Sequence, residues 1–169
     1  MNPVLARWNG TDGPAALDAM LSCCGARRWA NAIVAQRPLA GETELHNLAD
    51  LAWDAMSETD WLEAFACHPR IGERNTSRLS TRSSMWSQQE QSSIESAANT
   101  TLNQLAERNA LYENKFGFTY IVCATGKTPE EMLVTLTRRL NSDRASELRE
   151  AVEQQRLIMQ IRLRKWLEQ

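Results

Sequence analysis

The 169 residues contain two histidines, and one of them, His68, stands where proton chemistry could be done. It follows an amphipathic stretch (Trp61, Leu62, Phe65, Ala66) and precedes Pro69, which pushes the residue before it out of helical geometry. A helix C-terminus favours a protonated imidazole, and the ordinary histidine pKa of about 6.5 suits proton transfer at neutral pH. A helix-ending histidine can equally do no more than cap carbonyls. His46, beside Asn47 in a periodic stretch, reads as an edge residue of a helix. Glu90 is the second candidate. Ser87-Gln88-Gln89-Glu90 has S-x-x-E spacing, which also accounts for both end residues as a capping box, and from spacing alone the cap is the stronger reading. Arg70, Arg74, Arg78 and Arg82 recur every four residues, a pattern that suits either an anion-binding edge or a solvated face. Gly126-Lys127-Thr128 looks like the end of a phosphate-binding loop, but that motif requires glycine where Ile121 stands. No dinucleotide, nucleophile-elbow or zinc-protease motif occurs, and the histidines and acids lack metal-ligand spacing. Neither a cofactor nor a metal is expected.

These residues must be positioned by helices. Asp12-Gly13-Pro14 opens a helix carried by Leu17, Met20 and Leu21 and closed by Gly25. A second, short helix through Trp29, Ile33 and Val34 stops before Pro38. A third runs from about Thr43 with Leu45, Leu48, Ala49, Ala52 and Trp53 at helical spacing, and a fourth starts at Thr59-Asp60 and ends at Cys67-His68-Pro69. Residues 70–86 are rich in Arg and Ser and read as a loop, of a length that in a folded domain is usually functional or disordered. The Ser87 box is expected to open a long helix to about Asn114, which puts Glu90 at a helix start, where a carboxylate is favoured. Lys115-Phe116-Gly117-Phe118 breaks that helix. Tyr120 to Ala124 is a short apolar run that could be extended or a buried helical turn. Thr128-Pro129-Glu130-Glu131 starts another helix, and Ser142 or Asp143 starts the last. The expectation is an all-α, single-domain bundle of about eight helices spanning 1–169.

Composition narrows the function classes. An apolar content of 43% suffices for one sizeable core. Lys plus Arg number 19 against 21 Asp plus Glu, so the net charge of −2 carries no overall nucleic-acid footprint. No apolar run of about 18 residues could span a membrane, and the first residues lack the apolar core of a secretory signal. The four cysteines, Cys23, Cys24, Cys67 and Cys123, form no CxxC and read as reduced thiols. A cytoplasmic location is expected, and the C-terminal Trp166-Leu167-Glu168-Gln169 is no peroxisomal address.

Four strings, taken in order, carry a resemblance. His68-Pro69-Arg70-Ile71-Gly72-Glu73 is followed by Ser87-x-x-Glu90-Gln91. Then comes Phe116-Gly117-Phe118-x-Tyr120-Ile121-Val122-Cys123-Ala124-x-Gly126-Lys127, and finally Glu153 leading into Ile161-Arg162-Leu163. Each string alone is short, but the set covers essentially the whole chain and resembles the 2-oxo-4-hydroxy-4-carboxy-5-ureidoimidazoline (OHCU) decarboxylases. The resemblance implies an all-α, cofactor-independent, usually dimeric enzyme of urate catabolism that forms (S)-allantoin and CO2. It further implies that the catalytic groups fall on His68, Glu90 and Arg162, with Arg164 two residues from the last. Substrate contacts would fall on Pro69, Ser87, Glu90, Gln91, Phe118 and the Tyr120, Ile121, Val122, Cys123 and Ala124 segment. The chain departs from the family at Ser92-Ser93 and at Thr119-Tyr120, where Pro-Phe is more usual.

The residue types suit that chemistry. A carboxylate leaving as CO2 needs an electron sink, which the substrate's own ring can provide. Backbone N–H groups of an irregular segment such as Tyr120 to Ala124 could stabilise the developing oxyanion, and a fixed His68 could protonate one face of the carbanion. Glu90 would hold the ureido N–H groups, and Arg162 an oxygen through a charge-assisted bond. Two other readings are open. One is a non-enzymatic helical module that docks an acidic partner through Arg70 to Arg82. The other is a hydrolase in which His68 activates water.

Overall fold

Local start signals account for most of the elements. The computed structural model describes residues 1–71, 81–90 and 99–169. Among the described residues there are nine helices and no strand: α1 (Pro3–Gly10), α2 (Gly13–Cys23), α3 (Arg27–Val34), α4 (Glu42–Asp54), α5 (Glu58–Ala66), α6 (Thr81–Glu90), α7 (Asn99–Phe116), α8 (Pro129–Arg139) and α9 (Arg144–Leu167). The expected all-α class is the observed one. Asp12 caps α2 by accepting from the Ala15 N–H at 2.8 Å, with Pro14 in the first turn. Thr128 and Glu131 form a reciprocal capping box on α8 behind Pro129. Helix α1, absent from the sequence expectation, uses the same chemistry. The Asn2 side chain accepts from the N–H groups of Val4 and Leu5, and Pro3 occupies the first helical position.

The region around Ser87 differs from expectation. Thr81 to Trp86 are helical, so Ser87 lies inside α6 rather than at an N-cap, and Glu90 is the last residue of α6, not at its start. The proposed capping box, and with it a helix start at Ser87, is incorrect; the expected run of that helix toward Asn114 passes through residues 91–98, which lie outside the described residues. The S-x-x-E pattern is also simply an i,i+3 pair on one helix face, and local spacing does not distinguish the two. Of the four-residue arginine series, Arg74 and Arg78 lie outside the described residues, as does Gln91.

The chain divides into two units, residues 1–64 with 156–169, and residues 65–155, the divisions falling inside α5 and α9. The first unit packs α2 on α3 and α3 on α4 around Trp8, Trp29, Trp53 and Trp166. Trp8 and Trp166 meet edge to face with centroids 5.8 Å apart, and the indole N–H groups of Trp8 and Trp29 donate to the carbonyls of Ala16 and Ala49. Arg37 closes α1 by donating to the Trp8 and Thr11 carbonyls at 2.8 and 2.7 Å. His46 is half-buried against Gln160, which also donates to the His46 carbonyl and to Asp50, so this histidine joins α4 to the end of α9. The second unit packs α7 on α8 around an aromatic cluster of Phe65, Tyr112, Phe116, Phe118 and Tyr120.

Candidate active site

Helix α5 ends at Ala66, as the proline at position 69 requires, and the His68 N–H caps it by donating to the Phe65 carbonyl at 3.1 Å. His68 and Pro69 are half-buried, Arg70 is exposed and Ile71 is buried. Two contacts fasten this turn. The Arg70 guanidinium makes a two-point pair with Glu113 of α7, both bonds 2.7 Å, and the Phe65 ring meets Phe118 at 5.6 Å. Since Phe118 precedes the Tyr120 segment, this aromatic contact ties the histidine-bearing helix end to the third of the four strings. Ser87 is buried and Glu90 half-buried on α6 in the same unit. Arg162 belongs to the other unit, on the buried face of α9 with Ile158, Met159, Leu163 and Trp166, whereas Arg164 is exposed.

The Tyr120 to Ala124 segment is neither helix nor strand. Gly117 at φ 81° lets the chain leave α7, its N–H donating back to Glu113, and Gly126 at φ 77° turns it toward α8. All five residues from Tyr120 to Ala124 are buried, so the run does not alternate as a half-solvated strand would. Their backbone groups are unevenly used. The Cys123 N–H donates to Gln154 at 2.9 Å, and the Ile121 and Cys123 carbonyls accept from Arg139 (2.8 Å) and Lys127 (2.5 Å). Among the described residues, the N–H groups of Tyr120, Ile121, Val122 and Ala124 meet no acceptor. Buried backbone donors are almost always paired, so these open ones are available to an acceptor from outside the chain.

Behind the segment lies a charge cluster that the sequence reading missed. Arg139 and Glu147 are each 1% exposed and pair through the arginine Nε and Nη2 at 2.6 and 2.5 Å. The Tyr112 hydroxyl donates to the same carboxylate oxygen. The guanidinium also lies 4.8 Å from the Tyr120 ring centroid. A signal was available: Met132, Leu136 and Arg139 share one helical face, and an arginine on an apolar stripe needs a partner. Burial opposes the arginine's charge, but Glu147 more than offsets it and leaves the group above its ordinary range.

Burial also raises the Tyr120 phenol to about 12, with Arg139 pulling the other way, and raises Tyr112 further, helped by its bond to Glu147. The folded state therefore keeps protons that the unfolded chain sheds near pH 10, and stability falls as pH rises from 10 toward 12. These are the only two tyrosines. An ultraviolet tyrosinate titration is expected to stay flat through pH 10 and to rise together with unfolding. A reversible half-amplitude step at pH 10 in folded protein would contradict this burial.

The sequence matches the OHCU decarboxylase family over residues 9–164. The chain belongs to that family. Its relatives agree. It is 35% identical over 144 residues to the uric acid degradation bifunctional protein TTL of Arabidopsis thaliana, covering 85% of this chain and 44% of that protein. The chain thus spans less than half of that relative's length. It is 27% identical to the OHCU decarboxylase of Amia calva over 79% of this chain and 77% of that one. A crystal structure of an OHCU decarboxylase in the presence of (S)-allantoin superposes with a TM-score of 0.78 at 34% identity, covering 90% of this chain and 99% of that one. The crystal structure of an (S)-allantoin synthase, with a TM-score of 0.71 at 16% identity, shares the fold.

Proposed function

We propose that this member of the OHCU decarboxylase family removes the carboxylate of OHCU without a cofactor, releasing CO2 and (S)-allantoin in urate catabolism. The observation that carries the reading is the buried Tyr120 to Ala124 segment with its open N–H groups, in the same unit as His68 and α6. In the reaction the bond from the ring to the carboxylate breaks and CO2 leaves. The electron pair forms a C=C bond to the ureido-bearing carbon as the adjacent ring C=N passes its π pair to nitrogen. The proton of the ring hydroxyl then goes to that nitrogen, and the hydroxyl carbon becomes a C=O. One proton taken up adds to the ureido-bearing carbon. Open amides are suited to the oxyanion character that builds up on the way. Such donors act mainly on the transition state, and losing one costs about 2.7–4 kcal/mol in other enzymes. The Tyr120 hydroxyl, buried and without a hydrogen-bond partner among the described residues, is a further group that a bound substrate could satisfy.

His68 is assigned the proton, delivered to one face, which accounts for a single product hand. Glu90 is assigned the ureido N–H groups, with Ser87 beside it on α6 and Gln91 next in sequence. Pro69 and Phe118 line the substrate. Arg162, the buried one of the two candidate arginines, is assigned a charge-assisted bond to a substrate oxygen. A bond that strengthens as the oxyanion forms accelerates the step, whereas one spent on the ground-state carboxylate does not. The proposal includes a cytoplasmic homodimer. Among the described residues no helix is long and apolar enough to cross a membrane.

The test is circular dichroism during enzymatic urate oxidation with hydroxyisourate hydrolase present. Adding this protein should produce a rapid (S)-allantoin signal and CO2. A trace no faster than the spontaneous decay, from folded protein, would overturn the reading, and ammonia release without CO2 would favour the hydrolase.

A further inference from the structure

The geometry points to Arg139 as a positioning residue for this reaction: held by Glu147, it orients and polarises the Val122 N–H through the Ile121 carbonyl. The inference rests on the decarboxylase reading and assigns a function to the charge cluster behind the segment. A peptide unit is planar, and in its trans form the C=O and N–H point in opposite directions. Among the described residues only Arg37-Pro38 is cis, so the Ile121 carbonyl and the Val122 N–H belong to one trans plane. Arg139 Nη1 holds that carbonyl at 2.8 Å, and the Val122 N–H is therefore turned directly away from the guanidinium. It is one of the open donors.

The arginine is itself over-determined. Glu147 takes its Nε and Nη2, the Tyr112 hydroxyl takes the same carboxylate oxygen, and the Tyr120 ring lies against the guanidinium plane. Its remaining fork is left to one task, gripping the backbone. A cation on a peptide oxygen also withdraws density from the amide and strengthens the N–H on the far side as a donor, as polarised hydrogen-bond chains do. Lys127 treats the next alternate plane in the same way. Its Nζ holds the Cys123 carbonyl at 2.5 Å and turns the Ala124 N–H away. Between these two, the Cys123 N–H is tied off by Gln154. Two alternate amides, each backed by a cation, thus present their N–H groups while the one between them is retired. A pair of buried charges is a weak source of stability compared with apolar packing. It is, however, a rigid way to fix a peptide plane.

The test uses the full chain with Arg139→Lys and with the double variant Arg139→Met/Glu147→Leu, which removes both charges together. kcat and KM are measured on OHCU generated from urate in situ, and folding is followed by circular dichroism and thermal unfolding. A misplacement of about 1 Å in a positioned group can cost on the order of 10²-fold. Folded variants are expected to lose about 10- to 100-fold in kcat with KM changed less than about 3-fold, the pattern of an interaction made in the transition state. Arg139→Lys, which keeps one cation, should fall between wild type and the double variant. Folded variants with wild-type kcat, a loss confined to KM, or activity that merely tracks the folded fraction would overturn the inference. So would failure of both variants to fold, which would leave Arg139 a structural residue only. A wild-type chain that does not accelerate OHCU decay would instead remove the decarboxylase reading beneath it.

Discussion

Replacing His68 by alanine is expected to slow turnover by roughly 10²–10⁴-fold, the usual worth of a positioned general acid. Folding should be unaffected. Alanine retains the backbone N–H bond to the Phe65 carbonyl, and the ring it removes is half-buried. The turn is held from either side by the Phe65–Phe118 contact and the Arg70–Glu113 pair, neither of which involves the imidazole. The residual reaction should also lose handedness, because the spontaneous decay has no face preference. Following the dichroism of the allantoin formed measures rate and hand together. A His68→Ala protein within about threefold of wild type would transfer the proton-donor role to another group.

The largest expected effect on stability lies at Glu147. Changing it to leucine leaves the Arg139 guanidinium at 1% exposure without its carboxylate and removes the acceptor of the Tyr112 hydroxyl. Breaking a buried pair by removing one partner costs about 3–5 kcal/mol, because the remaining charge is desolvated and unbalanced. Adding Arg139→Met should recover much of that loss. The double variant would still lack a partner for the Tyr112 hydroxyl and the Ile121 carbonyl, a penalty of about 1–3 kcal/mol for each such group left unmet. Urea unfolding of the two single variants and the double gives the coupling directly. If Glu147→Leu proved as stable as wild type, the cluster could not be the rigid support proposed for the Tyr120 to Ala124 segment.

What could be read without coordinates was whatever depends on a few neighbouring residues. Asp12 before Pro14, and Thr128 with Pro129 and Glu131, announced α2 and α8 because a cap is a bond between residues two or three apart. His68 before Pro69 announced the end of α5 for the same reason, since the proline's clash acts on its neighbour. Gly117 was legible as a break. Family membership was legible too, because it rests on the order of short strings along the chain. Ser87 and Glu90 show the limit of local reading. Their spacing fits a cap and equally fits two residues on one face of a helix already under way, and the helical state of Thr81 to Trp86 decides between them.

The sequence by itself therefore determined an all-α chain, its family and most helix starts. The tertiary structure decided the status of Tyr120 to Ala124, which periodicity left open between extended and helical. Its backbone is set by partners far along the chain, Arg139 on the Ile121 carbonyl and Gln154 on the Cys123 N–H, eighteen and thirty-one residues away. It also decided that Arg162 is buried and Arg164 exposed, and that Arg139 and Glu147 meet at all. The physical reason is the range of the interactions. Caps and proline clashes act within one helical turn, whereas a buried charge must find its counterion, and an open amide its orientation, through segments that only folding brings together.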